Sequence, residues 1–393
     1  MTSRLVPIMA ALVLVAACGS TPLGSRGTDT VIEVTAAPTP GASASVTEPT
    51  AAPTEAPPTP FPAPADIGLD DIALGPDGQL YGSSCVAARV YRIVGDHQLQ
   101  VVIGSGGSGF DTGFTGDGGP ATDAQVSCPI GIVFDNAGEL VLADHSNNRI
   151  RRVDANGIIQ TIAGSGEAGS NRGMYGGDGG PATSGFLQEP TQIAFDAAGN
   201  LYISDRDNNR VRKVDANGIL TTLAGDGADA FGGDGGPSTK SKVDDPAGIA
   251  VAPDGTVYFA DSNNRRVRKV DPNGIITTIA GTAKGGDKGD GGPASKATFD
   301  DPEALALDAE GNLYVSDGPV VRIIDSKGRI SRFAGTGVAG TSGDGGPATK
   351  ALLTAISSIV VAPNGDVYLD DGDGHQIRKV APDGTISTVF SPS

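Results

Sequence analysis

Gln192-Ile193-Ala194-Phe195-Asp196-Ala197-Ala198-Gly199-Asn200-Leu201-Tyr202-Ile203-Ser204-Asp205-Arg206-Asp207-Asn208-Asn209-Arg210-Val211-Arg212-Lys213-Val214-Asp215-Ala216-Asn217-Gly218-Ile219-Leu220-Thr221-Thr222-Leu223-Ala224 decides the fold of this chain. Gln192–Asp196 is a short apolar strand and Ala197-Ala198-Gly199 a tight turn. Leu201–Ser204 is a second strand, closed by Asp205 and the polar turn 206–209. Arg210 to Asp215 alternates with period two, as a half-buried strand does. Asn217-Gly218 is a strong hairpin signal, and Leu220–Ala224 forms the fourth strand.

The unit recurs. With the glycine of the first turn as anchor, the copies fall at Gly78, Gly138, Gly199, Gly255, Gly311 and Gly365. A period of this size indicates a propeller, a solenoid or an array. Four antiparallel strands repeated six times predict an all-β, six-bladed β-propeller over residues 66–393. The blades are expected near 66–127, 128–188, 189–244, 245–300, 301–354 and 355–393. A linear array needs polar caps at both ends, and neither end is capped. Composition agrees: 59 Gly and 27 Pro among 393 residues exclude a helical bundle, because both residues are costly inside helices. The last strand, Thr385 to Phe390, is expected to complete blade 6 from its own repeat, although a strand lent by the N-terminal side fits equally well.

The pattern Asp-x-x-Gly-Asn-Leu-Tyr followed by Asp-x-x-Asn-x-Arg-Val, standing here as Asp196 to Val211 with copies at Asp135–Ile150 and Pro253–Val267, resembles the NHL repeat. The resemblance covers all of 66–393. It implies a six-bladed propeller, in a family whose functions range from protein and RNA binding to lyases, so chemistry stays open.

The N-terminus reads as an address. Arg4 precedes an apolar run, Leu5 to Ala17, that is too short to span a bilayer. Residues 1–17 fit a signal peptide, and Val15-Ala16-Ala17-Cys18 resembles the bacterial lipobox, with Cys18 as the lipidated residue. Residues 18–65 then form a Thr/Pro/Ala-rich stalk that cannot bury enough apolar surface to fold. The expected location is the outer leaflet of a bacterial cell membrane, with membrane contact through the lipid alone.

Charge restricts partners. Lys and Arg number 28 against 46 Asp and Glu, a net charge of −18, which opposes nucleic-acid binding. The Arg/Lys clusters recur at one repeat position and read as strand edges. The pairs Asp144/Arg149, Asp205/Arg210 and Asp261/Arg266 read as turn-fixing ion pairs more readily than as a ligand ring. Gly-Asp-Gly-Gly-Pro recurs at 116–120, 177–181, 233–237, 289–293 and 343–347. It reads as a tight turn with Asp bonded to its own backbone and Pro starting a short helical turn, an anion nest and a calcium loop being the alternatives.

Cys85 aligns with Arg206, and Cys128 with Glu189, Asp245 and Asp301. Arg206 then faces Asp245 at one seam between blades and His145 faces Glu189 at another. The alignment predicts a Cys85–Cys128 disulfide replacing a charge pair. Asp371 and Asp373, in the run Asp370-Asp371-Gly372-Asp373-Gly374, are the weak metal candidates, with calcium the possible ion. No catalytic motif appears, and no catalytic residue or further cofactor is assigned. The binding rim is expected at His145, Arg206, Asp207, Asn208, Asp373 and His375, on the turn-rich face with the central channel. A monomeric surface module for a protein or small ligand is the leading expectation. The alternative is a metal-dependent lactonase, hydrolase or lyase of the gluconolactonase-like propeller type, with its site in the channel.

Overall fold

A computed structural model describes residues 58–107, 113–166 and 175–392. The leader, Cys18 and the stalk up to residue 57 lie outside the described residues. Six antiparallel sheets are present, each built from one sequence repeat. In blade 3 the inner strand is Pro190–Phe195, followed by Leu201–Asp205, Arg210–Val214 and the outer strand Leu220–Ala224. The order within the sheet follows the order in the chain, because each hairpin turn joins neighbouring strands. The inner strands, Asp71–Leu74, Pro129–Phe134, Pro190–Phe195, Pro246–Val251, Pro302–Leu307 and Ile356–Val361, stand side by side around the channel. Apolar side chains from adjacent blades interlock into the core, as Ile249, Phe259 and Ile276 do with Tyr202 and Val211. Burial at roughly 25 cal/mol per Å2 drives this packing.

Each blade from 2 to 6 is braced by one buried guanidinium. Arg151, Arg212, Arg268, Arg322 and Arg378 are all fully buried. Arg268 pairs with Asp261 of the adjacent strand at 2.8 Å and with Asp234 of the Gly-Asp-Gly-Gly-Pro loop at 2.9 Å, and donates to the Lys242 and Gly232 carbonyls. Arg151 and Arg212 repeat the arrangement with Asp144 and Asp117, and with Asp205 and Asp178. This corrects two expectations. The turn aspartates Asp144, Asp205 and Asp261 pair with the arginine two residues beyond the expected one. Arg149, Arg210 and Arg266 instead stack on Phe114, Tyr175 and Phe231, with guanidinium carbons 3.6–4.0 Å from the ring centres.

The Asp of Gly-Asp-Gly-Gly-Pro is likewise not bonded to its own backbone. Asp117 accepts from Arg151 and from the Thr161 backbone, and Asp178 and Asp344 do the same with their own blades. The loop lies along the outer strand of the following blade: Gly118 donates to the Ile159 carbonyl, and Ile159 donates to Gly119. The outer sheet edges of blades 2 to 6 are thereby covered. The proline precedes a single 3-10 turn, Ala121–Asp123 in blade 2.

Blade 1 replaces the whole device. Ser84, Tyr91 and the short strand Phe61–Pro62 stand where the other blades have Asp, Arg and the loop. Phe61 pairs with Leu99 and Pro62 with Gln98, and the Phe61 ring meets Tyr91 edge-on at 6.1 Å. The propeller therefore starts by Pro58 rather than at 66. Residues 58–65, expected as stalk, close the outer edge of blade 1.

Blade 6 is completed by its own strand Ile386–Phe390, so no strand is exchanged at ring closure. The C-terminal segment instead hooks onto blade 1. Ser391 donates its N–H to the Asp96 carbonyl, and its own carbonyl meets His97 Nδ1 at 2.6 Å. Ile72 and Leu69 of blade 1 share an apolar cluster with Ile377 and Phe390 of blade 6.

Two outcomes follow in urea unfolding. Arg268→Ala strands Asp261 in the interior and is expected to cost about 3–5 kcal/mol. Asp261→Ser combined with Arg268→Tyr, which copies blade 1, is expected to cost less than the single change.

Candidate functional site

The inner strands enclose a cavity of about 590 Å3 along the channel. All six blades line it. Its walls are mostly backbone and aliphatic side chains, and it extends to the first hairpin turns at Pro76, Asn136 and Pro363. It thus runs toward the end of the ring opposite the polar turns that the sequence singled out.

Its polar group is a set of three side chains at one repeat register. Asp71, Gln192 and Ser358 stand where the other inner strands carry Gly131, Gly248 and Ala304. The glycines are required there, because a Cβ on Gly131 would lie 2.2 Å from the Thr191 carbonyl oxygen, and one on Gly248 2.1 Å from that of Glu303. Asp71 Oδ2 accepts from the Ile132 backbone at 2.6 Å, Ser358 Oγ donates to the adjoining Ile72 carbonyl, and the Ser358 and Gln192 side chains beside the carboxyl favour its charged form. Burial outweighs those bonds and pushes it up to about 7. A carboxyl that titrates near neutrality inside a channel is able to donate or accept.

The opposite face carries the expected rim, in parts. Arg206 and Asp207 are exposed, and Arg206 makes a two-pronged bridge to Asp245 that spans the seam from blade 3 to blade 4. Asp373 and His375 are exposed at the blade 6 turn. Two expected rim residues are not available. His145 is buried, with Nδ1 3.2 Å from the Pro190 carbonyl and Nε2 3.9 Å from Glu189, and burial lowers its proton affinity. Asn208 is buried because its amide holds the Asp205 carboxylate inside the turn. Asp371, a metal candidate, is also buried, accepting from Thr354 and facing Arg378 at 3.6 Å. Asp373 is exposed on the same turn. Among the described residues no three acidic, His or Cys side chains are grouped to hold a metal ion.

The structure adds groups that the sequence reading missed. Glu303, one register position from the Asp71 layer, lies near Arg206, Asp245 and Asp301. Its side chain reaches solvent, yet the loss of hydration at the crowded channel mouth, together with Asp301, pushes its carboxyl up to about 7. Comparing the inner strands position by position would have found it, since Ile130 and Ala247 occupy the same register.

Cys85 and Cys128 are joined by a disulfide across the seam between blades 1 and 2, at the register where Arg206 and Asp245 pair further round the ring.

Six four-stranded blades with edge-covering loops define an NHL-type propeller. The teneurin NHL domain model matches residues 72–176, 227–286 and 283–340, and the chain belongs to that family. Human teneurin-4 is 32% identical over 282 residues, covering 63% of this chain and 10% of that protein. Mouse teneurin-1 is 30% identical over 289 residues, covering 64% and 10%. The chain thus spans about a tenth of the length of these curated relatives. Among solved structures, an auxiliary nutrient binding protein from Bacteroides thetaiotaomicron superposes with a TM-score of 0.55 at 16% identity, over 83% of this chain and 70% of that one. A gluconolactonase from Xanthomonas campestris gives 0.51 at 16% identity, over 79% and 85%. These two show shared fold.

Two measurements probe the seams. Arg206 lowers the Glu303 proton affinity, so Arg206→Ala should move the Glu303 titration midpoint upward, read by carboxyl carbon NMR. Because the folded value lies above the ordinary one, any stability tied to the Glu303 proton is lost as pH rises through about 7. Replacing Cys85 and Cys128 together by serine releases a long loop and is expected to lower unfolding stability by up to about 4 kcal/mol.

Proposed function

We propose that this chain is a binding module: a lipid-anchored, extracytoplasmic NHL propeller that holds a protein or small ligand at the cell surface. The observation that carries the reading is the channel cavity of about 590 Å3, lined by all six inner strands and offering one cluster of hydrogen-bonding groups, Asp71, Gln192 and Ser358. A mostly apolar recess with a few convergent polar groups is the ordinary form of a small-molecule site. Its size and chemistry suit a neutral ligand bearing hydroxyl or carbonyl groups, since the cluster holds no cation to neutralise an anion. The nutrient-binding description of the Bacteroides protein is in keeping with this use of the fold. The anchor rests on the apolar run Leu5 to Ala17 ending at Cys18.

A second reading is favoured by the same Asp71 carboxyl. Held near neutrality, it is placed to act as a general acid or base on a lactone, the reaction class of the alternative drawn from the sequence.

The test is native mass spectrometry of the purified full chain against neutral saccharides and lactones, with and without calcium. Stoichiometric binding without turnover, lost in Gln192→Leu, supports the module. Lactone turnover that disappears in Asp71→Asn replaces it with the hydrolase. Cys18→Ser should shift the expressed protein from the membrane to the soluble fraction, and unchanged membrane retention would overturn the anchor.

A further inference from the structure

Ring closure at the seam between blades 6 and 1 is made with a residue that the other seams do not use. At the second-strand position just before the turn residue, the blades carry Ser83, Ala143, Ser204, Ala260, Ser316 and Asp370. Two of the serines cross their seam: Ser83 Oγ donates to the Ile130 carbonyl and Ser204 Oγ to the Ala247 carbonyl, each at 2.5 Å. The same register places the carbonyl of Asp70, on blade 1, opposite Asp370. A hydroxyl donates to a carbonyl, whereas an ionised carboxylate only accepts. Asp370 is nevertheless 1% exposed, and its Oδ2 has no hydrogen-bond partner.

The surrounding charges are of one sign. Asp71 and Asp70 face Asp370 from blade 1, and Asp371 adjoins it on its own strand. Arg378, on the next strand, is taken by Asp344 at 2.6 Å and lies 3.6 Å from Asp371. The His375 ring packs against Gly68 of blade 1, 3.6 Å from where a Cβ would stand. Ser357 Oγ, on the inner strand, donates to the Asp370 backbone carbonyl at 3.5 Å.

We propose that Asp370 carries a proton in the closed ring and that its carboxyl O–H donates to the inner strand of blade 1, as Ser83 and Ser204 do at their seams, so that ring closure responds to pH. Burial, and then the neighbouring aspartates, raise the proton affinity of Asp370 well above the ordinary carboxylate range, and burial pushes Asp71 to about 7. The sign follows from linkage. A group that binds its proton more tightly in the folded chain contributes stability that is complete at low pH and lost as pH rises through the folded value. Among the described residues this seam is held by side-chain and tail contacts, with no strand crossing it. Its loosening at high pH separates the inner strands of blades 1 and 6 while the other seams stay closed.

The experiment is thermal unfolding of the full chain from pH 5 to pH 8, as wild type, Asp370→Ser and Asp370→Asn. Other buried carboxyls give a background slope, so the difference between proteins is read. Wild-type Tm is expected to fall by about 2–4 °C more than that of Asp370→Ser over this range, with the serine variant the more stable at pH 8. Hydrogen exchange of the wild type, corrected for intrinsic rate, should loosen residues 71–74 and 356–361 at pH 8 and leave residues 246–251 unchanged. This readout stands even where a variant fails to fold. Equal slopes in all three proteins, or exchange that is uniform around the ring, would overturn the proposal. Recovery of wild-type Tm at pH 8 by millimolar calcium, absent in Asp370→Ser, would also overturn it, by making the seam a cation site.

Discussion

The buried guanidinium is the contact on which the ring depends. In blade 4 the two terminal nitrogens of Arg268 meet a carboxylate on the neighbouring strand, a second carboxylate on the covering loop, and two backbone carbonyls. The desolvation penalty of a buried arginine is offset by partners of this kind, the loop carboxylate being the one that recurs in blades 2 to 6. That makes the arrangement selective: a blade whose loop is out of register leaves a charge unpaired in the core. The loop that supplies the second carboxylate also covers the outer sheet edge, so one interaction fixes the strand pairing, the edge and the path from each blade to the next.

Blade 1 shows what happens when the loop is missing. The described residues enter there, and among them no outer strand precedes blade 1 to launch a Gly-Asp-Gly-Gly-Pro segment. All three charged positions are replaced together, by Ser84, Tyr91 and the Phe61–Pro62 edge. Removing only one would leave the others uncompensated. The same coupling governs the outer stack. Arg149, Arg210 and Arg266 have aromatic partners at Phe114, Tyr175 and Phe231, whereas Val320 and Gln376, at the same register, have Asp287 and Thr341 opposite.

Strand alternation, Asn-Gly turns and the recurring glycine anchors made the fold legible, because a period-two pattern repeated six times fits few architectures. The choice of arginine was not legible. Arg210 and Arg212 lie on the same side of one strand, and only the loop packed over them decides which is dry. Residues 58–65 resemble the stalk in composition, and it takes the pairing of Phe61 with Leu99 to separate them from it. The rim is obscured in the same way: His145 and Asn208 sit in polar turns yet are buried by the next blade's first residues and by their own turn. Asp71 and Glu303 were passed over because they occur inside apolar strands, away from the turn motifs. Their departure from the inner-strand register is visible only once Gly131, Gly248, Ile130 and Ala247 are aligned with them.

The entry of the chain along the outer edge of blade 1 has a mechanical consequence. A pull on the N-terminal side of the described residues reaches the propeller first where Gln100 Nε2 donates to the Pro58 carbonyl, and then at two residue pairs, Phe61 with Leu99 and Pro62 with Gln98. Tension there detaches a short strip before it bears on any blade-to-blade contact. If the load continues inward through blade 1, it next meets the covalent link between Cys85 and Cys128, which ties that blade to its neighbour. The domain is built like a tear strip backed by a rivet, so load from that side sheds a few residues of edge pairing while the ring stays whole.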